Sequence, residues 1–444
     1  MEHLKSHQKI QTAVVYLPPF SLLDKNQAED PWPSPDIKLL GLPLLKRSLL
    51  SLYKAGISRF FVLSKFPYPQ TQTDIDKDIR LNGKVTWIVQ GSPTLPEKSI
   101  PGHEPLLLVG LNVHFLWGLA KELCHWDCGT DTWIVTIPDR GASNSLIPSE
   151  ILVLPREKFK EPPLLDLETL AHKIKDGRVK TFLAKPEHLC YPIESPSFLQ
   201  IIEKELLNNL GSPLDGMVDT YLNRPASKIL TRFFLKTPIT PNQITLLSFI
   251  IGILAAIGFA MEGYFNSILG ALLFQFSSTV DCSDGEVARL KFMESPFGKW
   301  LDITLDNIAH LLIFSAITWT AIRQNPDGGF LQWGLLSLIG ISLSFISVIL
   351  SIRLQDRTSS LHQTDQNGWA IFLMNKFIAM MANRDFSLIV LILALVNSLP
   401  WLLILVGAGS NLFGLFLLGL FLTARSQQNV CLKEKEIKKE SPQT

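Results

Sequence analysis

The stretch "DCSDGEVARLKFMESPFGKWLDITLD", residues 281 to 306, decides how the second half of this chain is organised. It contains four aspartates and follows an apolar run, "FNSILGALLFQFSSTV", of the kind that enters a membrane. A carboxylate is costly to keep beside a hydrocarbon layer, so acidic groups at this position indicate a functional site. The four are Asp281, Asp284, Asp302 and Asp306.

The spacing predicts two helices that each present two aspartates. Steps of three and four residues return to the same side of a helix. The first helix would therefore present Asp281, Asp284, Gly285 and Ala288. The sequence "ESP" interrupts it, with Ser295 suited to capping and Pro296 to the first position of the next helix. Along that second helix, three residues follow at four-residue steps: Gly298, Asp302 and Asp306.

Four gathered carboxylates require positive charge among them. If unpaired, they would cost several kcal/mol each near the low-dielectric layer. Arg289 is one candidate, but a single arginine cannot balance four carboxylates. Hard oxygen ligands favour Mg²⁺ or Mn²⁺, and two such ions would leave positions for phosphate oxygens, which suits phosphoryl transfer. The competing interpretation is a set of helix-end aspartates neutralised by lysines.

The pattern resembles the signature of the CDP-alcohol phosphotransferase (CDP-alcohol phosphatidyltransferase) family. It runs Asp-x-x-Asp-Gly-x-x-Ala-Arg from Asp281 to Arg289, then eight residues to Gly298, then the two further aspartates. The resemblance covers about residues 212 to 425. It implies that a CDP-linked alcohol binds with its pyrophosphate on two divalent ions, that an acceptor hydroxyl attacks the β-phosphorus, and that CMP leaves.

The same resemblance implies a role for each matching residue. The implied metal ligands are Asp281, Asp284, Asp302 and Asp306. Asp306 is also the implied general base, a useful group because an alcohol is a poor nucleophile at neutral pH. The implied CDP pocket comprises Gly285, Ala288, Arg289, Gly298, Asn242 and Thr245. A homodimer in contact with membrane lipids is implied as well.

Long apolar runs predict that the second half is embedded in a membrane. A spanning helix needs about 20 apolar residues. Six stretches are candidates: 244–262, 265–285, 297–322, 331–353, 384–399 and 400–425. Basic residues concentrate on one side, so the positive-inside rule places both termini and the aspartates in the cytosol, in a prokaryotic plasma membrane. The opening residues show no secretory signal, which also favours a cytosolic first half.

An amphipathic helix is predicted just before the first span, within "YLNRPASKILTRFFLKTPITPNQ". Its basic residues recur every four positions: Arg224, Lys228, Arg232 and Lys236. Its apolar residues fill another face: Leu222, Ile229, Leu230, Phe233 and Phe234. This pattern indicates a helix at the membrane surface with its basic side toward headgroups. The alternative is a solvated charged face on an ordinary helix.

The first half alternates strand-like and helix-like segments, which predicts an α/β layer structure with a largely parallel sheet. The strand-like runs are 12–17, 59–64, 85–90, 106–110, 133–137 and 150–154. The run at 41–63, "GLPLLKRSLLSLYKAGISRFFVL", resembles the Rossmann-like sugar-phosphate nucleotidyltransferase fold. However, "YLPPFSLLDKN" at 16–26 lacks the expected glycine loop. Leu111 and Asn112 stand where that fold places an aspartate, so we expect a catalytically silent domain.

These observations predict four segments and three competing functions. The segments are a cytosolic α/β domain (1–195), a linker with the interfacial helix (196–243), an all-α six-helix membrane domain (244–425) and a basic tail (426–444).

The leading function is an integral-membrane CDP-alcohol phosphotransferase of phospholipid or related headgroup synthesis. The second is a bifunctional enzyme that also makes its CDP-alcohol from CTP, as inositol-phosphate members of the family imply. The third is a cation transporter. The net charge of +1 gives no indication of nucleic-acid binding.

Overall fold

The chain folds into two units, which we describe separately. The computed structural model describes residues 10–18, 32–90, 105–126, 129, 131–138, 146–155, 179–211, 218–359, 373 and 386–440. The units are Met1–Asn209 and Leu210–Thr444. The finer boundaries at 195, 243 and 425 stay predictions.

A seven-stranded sheet forms the centre of the first unit. Its strands are β1 (Thr12–Tyr16), β4 (Arg59–Ser64), β5 (Val85–Val89), β6 (Leu106–Gly110), β8 (Trp133–Pro138), β9 (Leu146–Leu154) and β10 (Lys180–Leu183). Their order is β10-β8-β9-β6-β1-β4-β5, and β9 runs antiparallel to both of its neighbours. The other neighbouring pairs are parallel. The predicted strands and the α/β class are therefore confirmed.

Two small antiparallel strand pairs and several helices complete the described part of this unit. Two small pairings join β2 (Lys38–Leu39) to β3 (Leu42–Pro43) and β7 (Val113–His114) to β11 (Tyr191–Pro192). The helices are α1 (Leu44–Ala55), α2 (Pro69–Asp76), α3 (Trp117–Cys124) and α4 (Pro196–Asn208). α1 ends at Gly56, whose φ of 104° suits a residue without a Cβ. Buried apolar side chains from several strands of the sheet form a core cluster, as expected for a sheet that is covered by other elements.

The second unit is helical. Its helices are α5 (Arg224–Leu235), α6 (Pro241–Ala260), α7 (Tyr264–Leu290), α8 (Pro296–Gln324), α9 (Phe330–Ser359), α10 (Phe386–Leu395) and α11 (Pro400–Glu440). Within the described part of the chain, four stretches are long and apolar enough to cross a membrane: Pro241–Ala260, Pro296–Gln324, Phe330–Leu354 and Pro400–Ser426. α10 has only 10 residues. α7 is a continuous helix, but polar and charged residues interrupt its apolar sequence. The count of six spans is therefore not confirmed and stays a prediction.

Close packing of α6 against α7 sets the position of the helix that carries the first two aspartates. A Cβ added at Gly258 on α6 would lie 3.0 Å from the Cα of Gly270 on α7. The pair therefore lets the two backbones approach more closely than alanines would. Buried apolar residues of α6, α7, α8, α10 and α11 then form one core cluster.

The orientation of α5 differs from the prediction. Arg224 does not belong to a basic face directed at headgroups, because its guanidinium donates to the buried carboxylate of Glu286, with Nη1 and Oε1 3.0 Å apart. The inner side of α5 carries buried polar residues along most of its length, namely Asn223 next to the helix, Ser227 and Thr231, and ends in buried Phe234 and Leu235. Ile229 and Phe233, in contrast, are 70% and 63% exposed. The sequence periodicity showed two faces but not which one turns inward.

Candidate active site

Three of the four predicted aspartates converge in the structure. Asp281 lies on α7, and Asp302 and Asp306 lie on α8. One carboxylate oxygen from each residue lies within 4.8 Å of the others. Asp281 is buried, whereas Asp302 and Asp306 are half-buried. The four-residue step between Asp302 and Asp306 places both on one side of α8, facing α7.

The fourth aspartate has a different setting. Asp284 is buried on α7, and its carboxylate accepts a hydrogen bond from the hydroxyl of Thr245 on α6. It is not a member of the group of three within 4.8 Å. The structure thus places Thr245, which we assigned to a nucleotide pocket, in contact with a predicted metal ligand.

Ser248 is a site residue that the sequence analysis missed. Its hydroxyl lies 3.2 Å from Oδ1 of Asp281 and 2.8 Å from the carbonyl oxygen of Thr245. Thr245 and Ser248 are three residues apart on α6, so they share a side of the helix that faces α7. The burial of both hydroxyls follows from the packing of α6 against α7, so the sequence alone carried no signal for Ser248.

The connection between the two aspartate helices forms as predicted. α7 ends at Leu290 and α8 begins at Pro296. The Ser295 hydroxyl accepts a hydrogen bond from the backbone N–H of Gly298 at 3.0 Å, which caps α8. This cap fixes the start of α8, and Asp302 and Asp306 lie about one and two turns beyond Gly298.

The remaining predicted residues form two neighbouring pairs. A Cβ at Gly298 would lie 3.0 Å from Oδ1 of Asn242, so the starts of α6 and α8 meet here. A Cβ at Gly285 would lie 3.4 Å from Nη1 of Arg289, whose Nη2 is 3.5 Å from the carbonyl oxygen of Leu210. Ala288 is half-buried on the same helix. Small residues therefore leave space beside the aspartates.

The electrostatics of the three aspartates favour a bound cation. Two carboxylates 4.8 Å apart repel each other by about 3 kcal/mol at an effective dielectric constant of about 20. Each member of the group has two such neighbours. Hard oxygen donors at this separation suit Mg²⁺ or Mn²⁺ rather than softer metals. The residues present therefore fit a divalent ion.

The carboxyl edge of the sheet in the first unit is filled by its own side chains. The Tyr16 hydroxyl donates to the carboxylate of Glu150 and to its carbonyl oxygen, the latter at 3.1 Å. A Cβ at Gly110 would lie 2.5 Å from Oδ1 of Asn112 and 2.7 Å from Cβ of Glu150. Burial and then the charge of Glu150 raise the pKa of Tyr16, so this hydroxyl stays a donor. Residues 19–26 of the predicted glycine-free loop at 16–26 lie outside the described residues.

Comparison with known proteins gives one family and several relatives. The family described as CDP-alcohol phosphatidyltransferase matches residues 238–409. A "Bifunctional IPC transferase and DIPP synthase" of Aquifex aeolicus is 37% identical over 128 residues, 28% of each chain. A protein of the same name from Thermococcus kodakarensis is 24% identical over 299 residues, 66% of this chain and 61% of the relative. The "Inner membrane protein YnjF" of Escherichia coli is 30% identical over 157 residues, 35% of this chain and 70% of the relative.

The extent of these matches differs along the chain. The aligned part covers only 28% of the length of the Aquifex relative. The 299 residues aligned with the Thermococcus relative exceed the length of the second unit, so that similarity extends into the first. Among solved structures, the "inositol-1-phosphate CTP transferase" of T. maritima is similar with a TM-score of 0.34 and 16% identity, over 45% of this chain and 97% of that one.

Proposed function

Because the chain belongs to the CDP-alcohol phosphatidyltransferase family, we propose that its second unit transfers a substituted phosphate from a CDP-alcohol to an acceptor hydroxyl and releases CMP. The observation that carries this proposal is the convergence of Asp281, Asp302 and Asp306 within 4.8 Å. Relatives named as transferases and as a "Phosphatidylinositol phosphate synthase" support it. The product would belong to phospholipid or related polar-headgroup synthesis.

The aspartates would hold the divalent ions on which the family depends. Asp281, Asp302 and Asp306 offer three converging oxygens, and Asp284, held by Thr245, is the fourth proposed ligand. When bound, Mg²⁺ or Mn²⁺ would neutralise charge on the pyrophosphate and on the departing CMP. A second ion would require a carboxylate in addition to the three that converge, and Asp284 would supply it.

Asp306 is the proposed general base. It is half-buried near the start of α8, and its carboxylate lies beside those of Asp281 and Asp302. It would accept the proton of the acceptor hydroxyl as that oxygen forms a bond to the β-phosphorus. The bond from this phosphorus to the bridging oxygen then breaks, and CMP leaves with that oxygen. A carboxylate in this role contributes about 10² to 10⁴ in rate.

The donor would bind beside the small residues of α7 and α8. Gly285 and Ala288 keep one side of the site narrow, and Gly298 allows Asn242 to approach the start of α8. Arg289 would balance phosphate charge, since its side chain is close to Gly285. These assignments follow from the family pattern together with the contacts described above.

The location of the site is also a proposal. Four helices among the described residues are long and apolar enough to span a membrane, which together with the family indicates an integral membrane protein. We propose six spans, cytosolic termini and aspartates that open toward the cytosol. A homodimer and contact with membrane lipids are further parts of the proposal.

A second candidate is a bifunctional enzyme whose first unit makes the CDP-alcohol from CTP. The observation in its favour is that the similarity to the Thermococcus relative, named as bifunctional, extends into the first unit. Against it, Tyr16 and Glu150 fill the carboxyl edge of the sheet, where α/β proteins bind ligands. We therefore propose a silent first unit. Pyrophosphate released from CTP in the presence of an alcohol phosphate would overturn that proposal.

The proposed reaction is tested by a substrate screen that detects CMP. Purified protein is incubated with CDP-diacylglycerol and other CDP-alcohols, with a panel of hydroxyl acceptors and with Mg²⁺ or Mn²⁺. We expect CMP release that requires both the ion and one acceptor. Absence of CMP across the whole panel would contradict the proposal.

A further inference from the structure

A polar seam joins α5 to the aspartate helix α7. On the α5 side, buried polar residues follow one another at four-residue steps: Asn223, Ser227 and Thr231. They contact polar residues of α7. Asn223 accepts from Gln275 Nε2 at 2.7 Å, and the backbone carbonyl of Ser227 accepts from Ser283 Oγ at 3.4 Å. Buried apolar packing is the usual way to join two helices, so this seam requires another explanation.

Glu286 lies at the centre of the seam. It is fully buried, and its carboxylate accepts three hydrogen bonds from α5. Oε1 accepts from Arg224 Nη1 at 3.0 Å and from Ser227 Oγ at 2.8 Å, and Oε2 accepts from Thr231 Oγ1 at 2.7 Å. Arg224 thus compensates the charge of Glu286, and both carboxylate oxygens accept hydrogen bonds. A carboxylate can be buried in a protein interior under these conditions.

Lys291 extends the same connection beyond the end of α5. It follows α7 directly, and its ammonium donates to the carbonyl oxygens of Phe234 at 3.5 Å, Thr237 at 3.0 Å and Ile239 at 3.4 Å. Phe234 lies in the last turn of α5, and Thr237 and Ile239 lie in the connection to α6. A cation suits carbonyl oxygens at and just beyond the C-terminus of a helix. Residues 236–240, which lead from α5 to α6, are thereby attached to the end of α7.

The segment that Lys291 holds leads directly to the aspartates. α6 begins after Thr240, whose backbone N–H donates to Oε1 of Gln243 at 2.9 Å. One turn later, Thr245 donates to Asp284, and the Ser248 hydroxyl lies 3.2 Å from Oδ1 of Asp281 while it also contacts the carbonyl oxygen of Thr245. The three helices are therefore linked in sequence. Side chains of α7 bind α5 and the segment after it, this segment continues into α6, and hydroxyls of α6 contact two carboxylates of α7.

We propose that Glu286 is a positioning residue, which fixes α5 and through it the start of α6, so that Thr245 and Ser248 hold Asp284 and Asp281 for metal binding. The inference rests on the proposed function only insofar as the aspartates bind a divalent ion. A buried ion pair is weak evidence for a stabilising role, because apolar residues of the same volume often stabilise as well or better. Its fixed geometry instead suits the orientation of neighbouring groups.

The test compares Mn²⁺ binding to full-length variants in detergent micelles, measured from the electron paramagnetic resonance signal of free Mn²⁺. Glu286→Gln keeps the shape of the side chain and removes its charge. We expect its Mn²⁺ affinity to fall about tenfold or more, as for partners behind metal ligands. The matched control is Glu262→Gln, because Glu262 is exposed, between α6 and α7, and pairs with Arg323. It should bind Mn²⁺ like the wild type.

Thermal unfolding separates positioning from a structural role. Should Glu286→Gln lower the unfolding midpoint while its folded fraction binds Mn²⁺ like the wild type, the positioning role is wrong. Ser227→Ala provides a milder second variant, which keeps the ion pair and removes one donor to Oε1. It should weaken Mn²⁺ binding less than Glu286→Gln does, and unchanged binding in both variants would overturn the proposal.

The same experiment distinguishes this inference from the proposed reaction. If the wild type binds Mn²⁺, and Glu286→Gln weakens that binding, the positioning role stands even if no CDP-alcohol yields CMP. A wild type that binds no Mn²⁺ would overturn the positioning role. In that case CMP release, measured separately, would still decide the reaction.

Discussion

The hydroxyl of Thr245 on α6 donates a hydrogen bond to the carboxylate of Asp284 on α7. The two residues are far apart in sequence, and both are buried. Ser248, less than one turn further along α6, makes the corresponding contact with Asp281. Hydroxyls of a neighbouring helix therefore orient two predicted metal ligands. We expect this orientation to preorganise the carboxylates for an ion.

Replacement of Thr245 tests this orientation. Thr245→Val keeps the branched shape and removes the donor, so we expect Mn²⁺ affinity to fall about 10- to 100-fold. Thr245→Ser restores a hydroxyl and should recover most of the binding. Equilibrium titration with Mn²⁺ measures both variants. Equal affinities of wild type and Thr245→Val would show that the contact does not position Asp284.

Gly298 should tolerate no side chain. A Cβ there would lie 3.0 Å from Asn242 Oδ1 and 3.1 Å from Ser295 Oγ, the atom that caps α8. Gly298→Ala should therefore weaken the cap and lower stability by about 1 kcal/mol. The thermal unfolding midpoint measures this. Gly409→Ala is the control, because a Cβ there meets nothing within 4 Å. An equal midpoint for both alanine variants would contradict the tight contact.

His114 should make the first unit sensitive to acid. Burial and then the charge of Arg47 lower the pKa of His114 from 6.5 to about 3. The unfolded chain therefore takes up a proton near pH 6.5, whereas the folded unit does not until about pH 3. The contribution of His114 to the free energy of unfolding is therefore fully present above pH 6.5. Below that pH the free energy of unfolding decreases by up to about 1.4 kcal/mol per pH unit.

The measurement is pulse proteolysis of the full-length protein at pH 7 and pH 5. Wild type should lose stability between these values, and His114→Phe, which cannot take up a proton, should lose less. His125→Gln serves as the control, because His125 is exposed on the surface after α3. A pH dependence that is the same in wild type and His114→Phe would exclude His114 as its source.

The outer face of α5 should lie in lipid. Ile229 and Phe233 are largely exposed while Ser227 and Thr231 are buried, an arrangement that water would disfavour and a membrane interface would stabilise. A fluorescent label at Phe233→Cys should be quenched by brominated lipids in reconstituted vesicles. A label at Leu183→Cys, on an exposed position of the first unit, should not be. Equal quenching at both positions would contradict an interfacial α5.

Local patterns accounted for much of the fold. Alternating hydrophobic runs placed the strands of the sheet, and the short motif around Ser295 predicted both the end of one helix and the cap of the next. The four-residue step from Asp302 to Asp306 likewise placed two carboxylates on one side of α8. Each of these features depends on residues close in sequence, so a single chain carries the information.

Contacts between distant helices could not be predicted in the same way. The sequence places Glu286 one residue after Gly285, with nothing to show that its carboxylate meets Arg224 on another helix. The same holds for Ser248, which resembles any small residue of an apolar span until α7 is placed beside it. Arg224 was assigned to the wrong surroundings for this reason: periodicity separates two faces, but packing decides which of them is buried.

The most direct test of the central claim is CMP release by Asp306→Asn at saturating Mn²⁺. Asp327→Asn is the matched control, since Asp327 is exposed in the connection between α8 and α9. With the CDP-alcohol and acceptor found by the screen, we predict that Asp306→Asn lowers the rate at least about 100-fold while Asp327→Asn leaves it unchanged. A wild-type rate in Asp306→Asn would contradict the account.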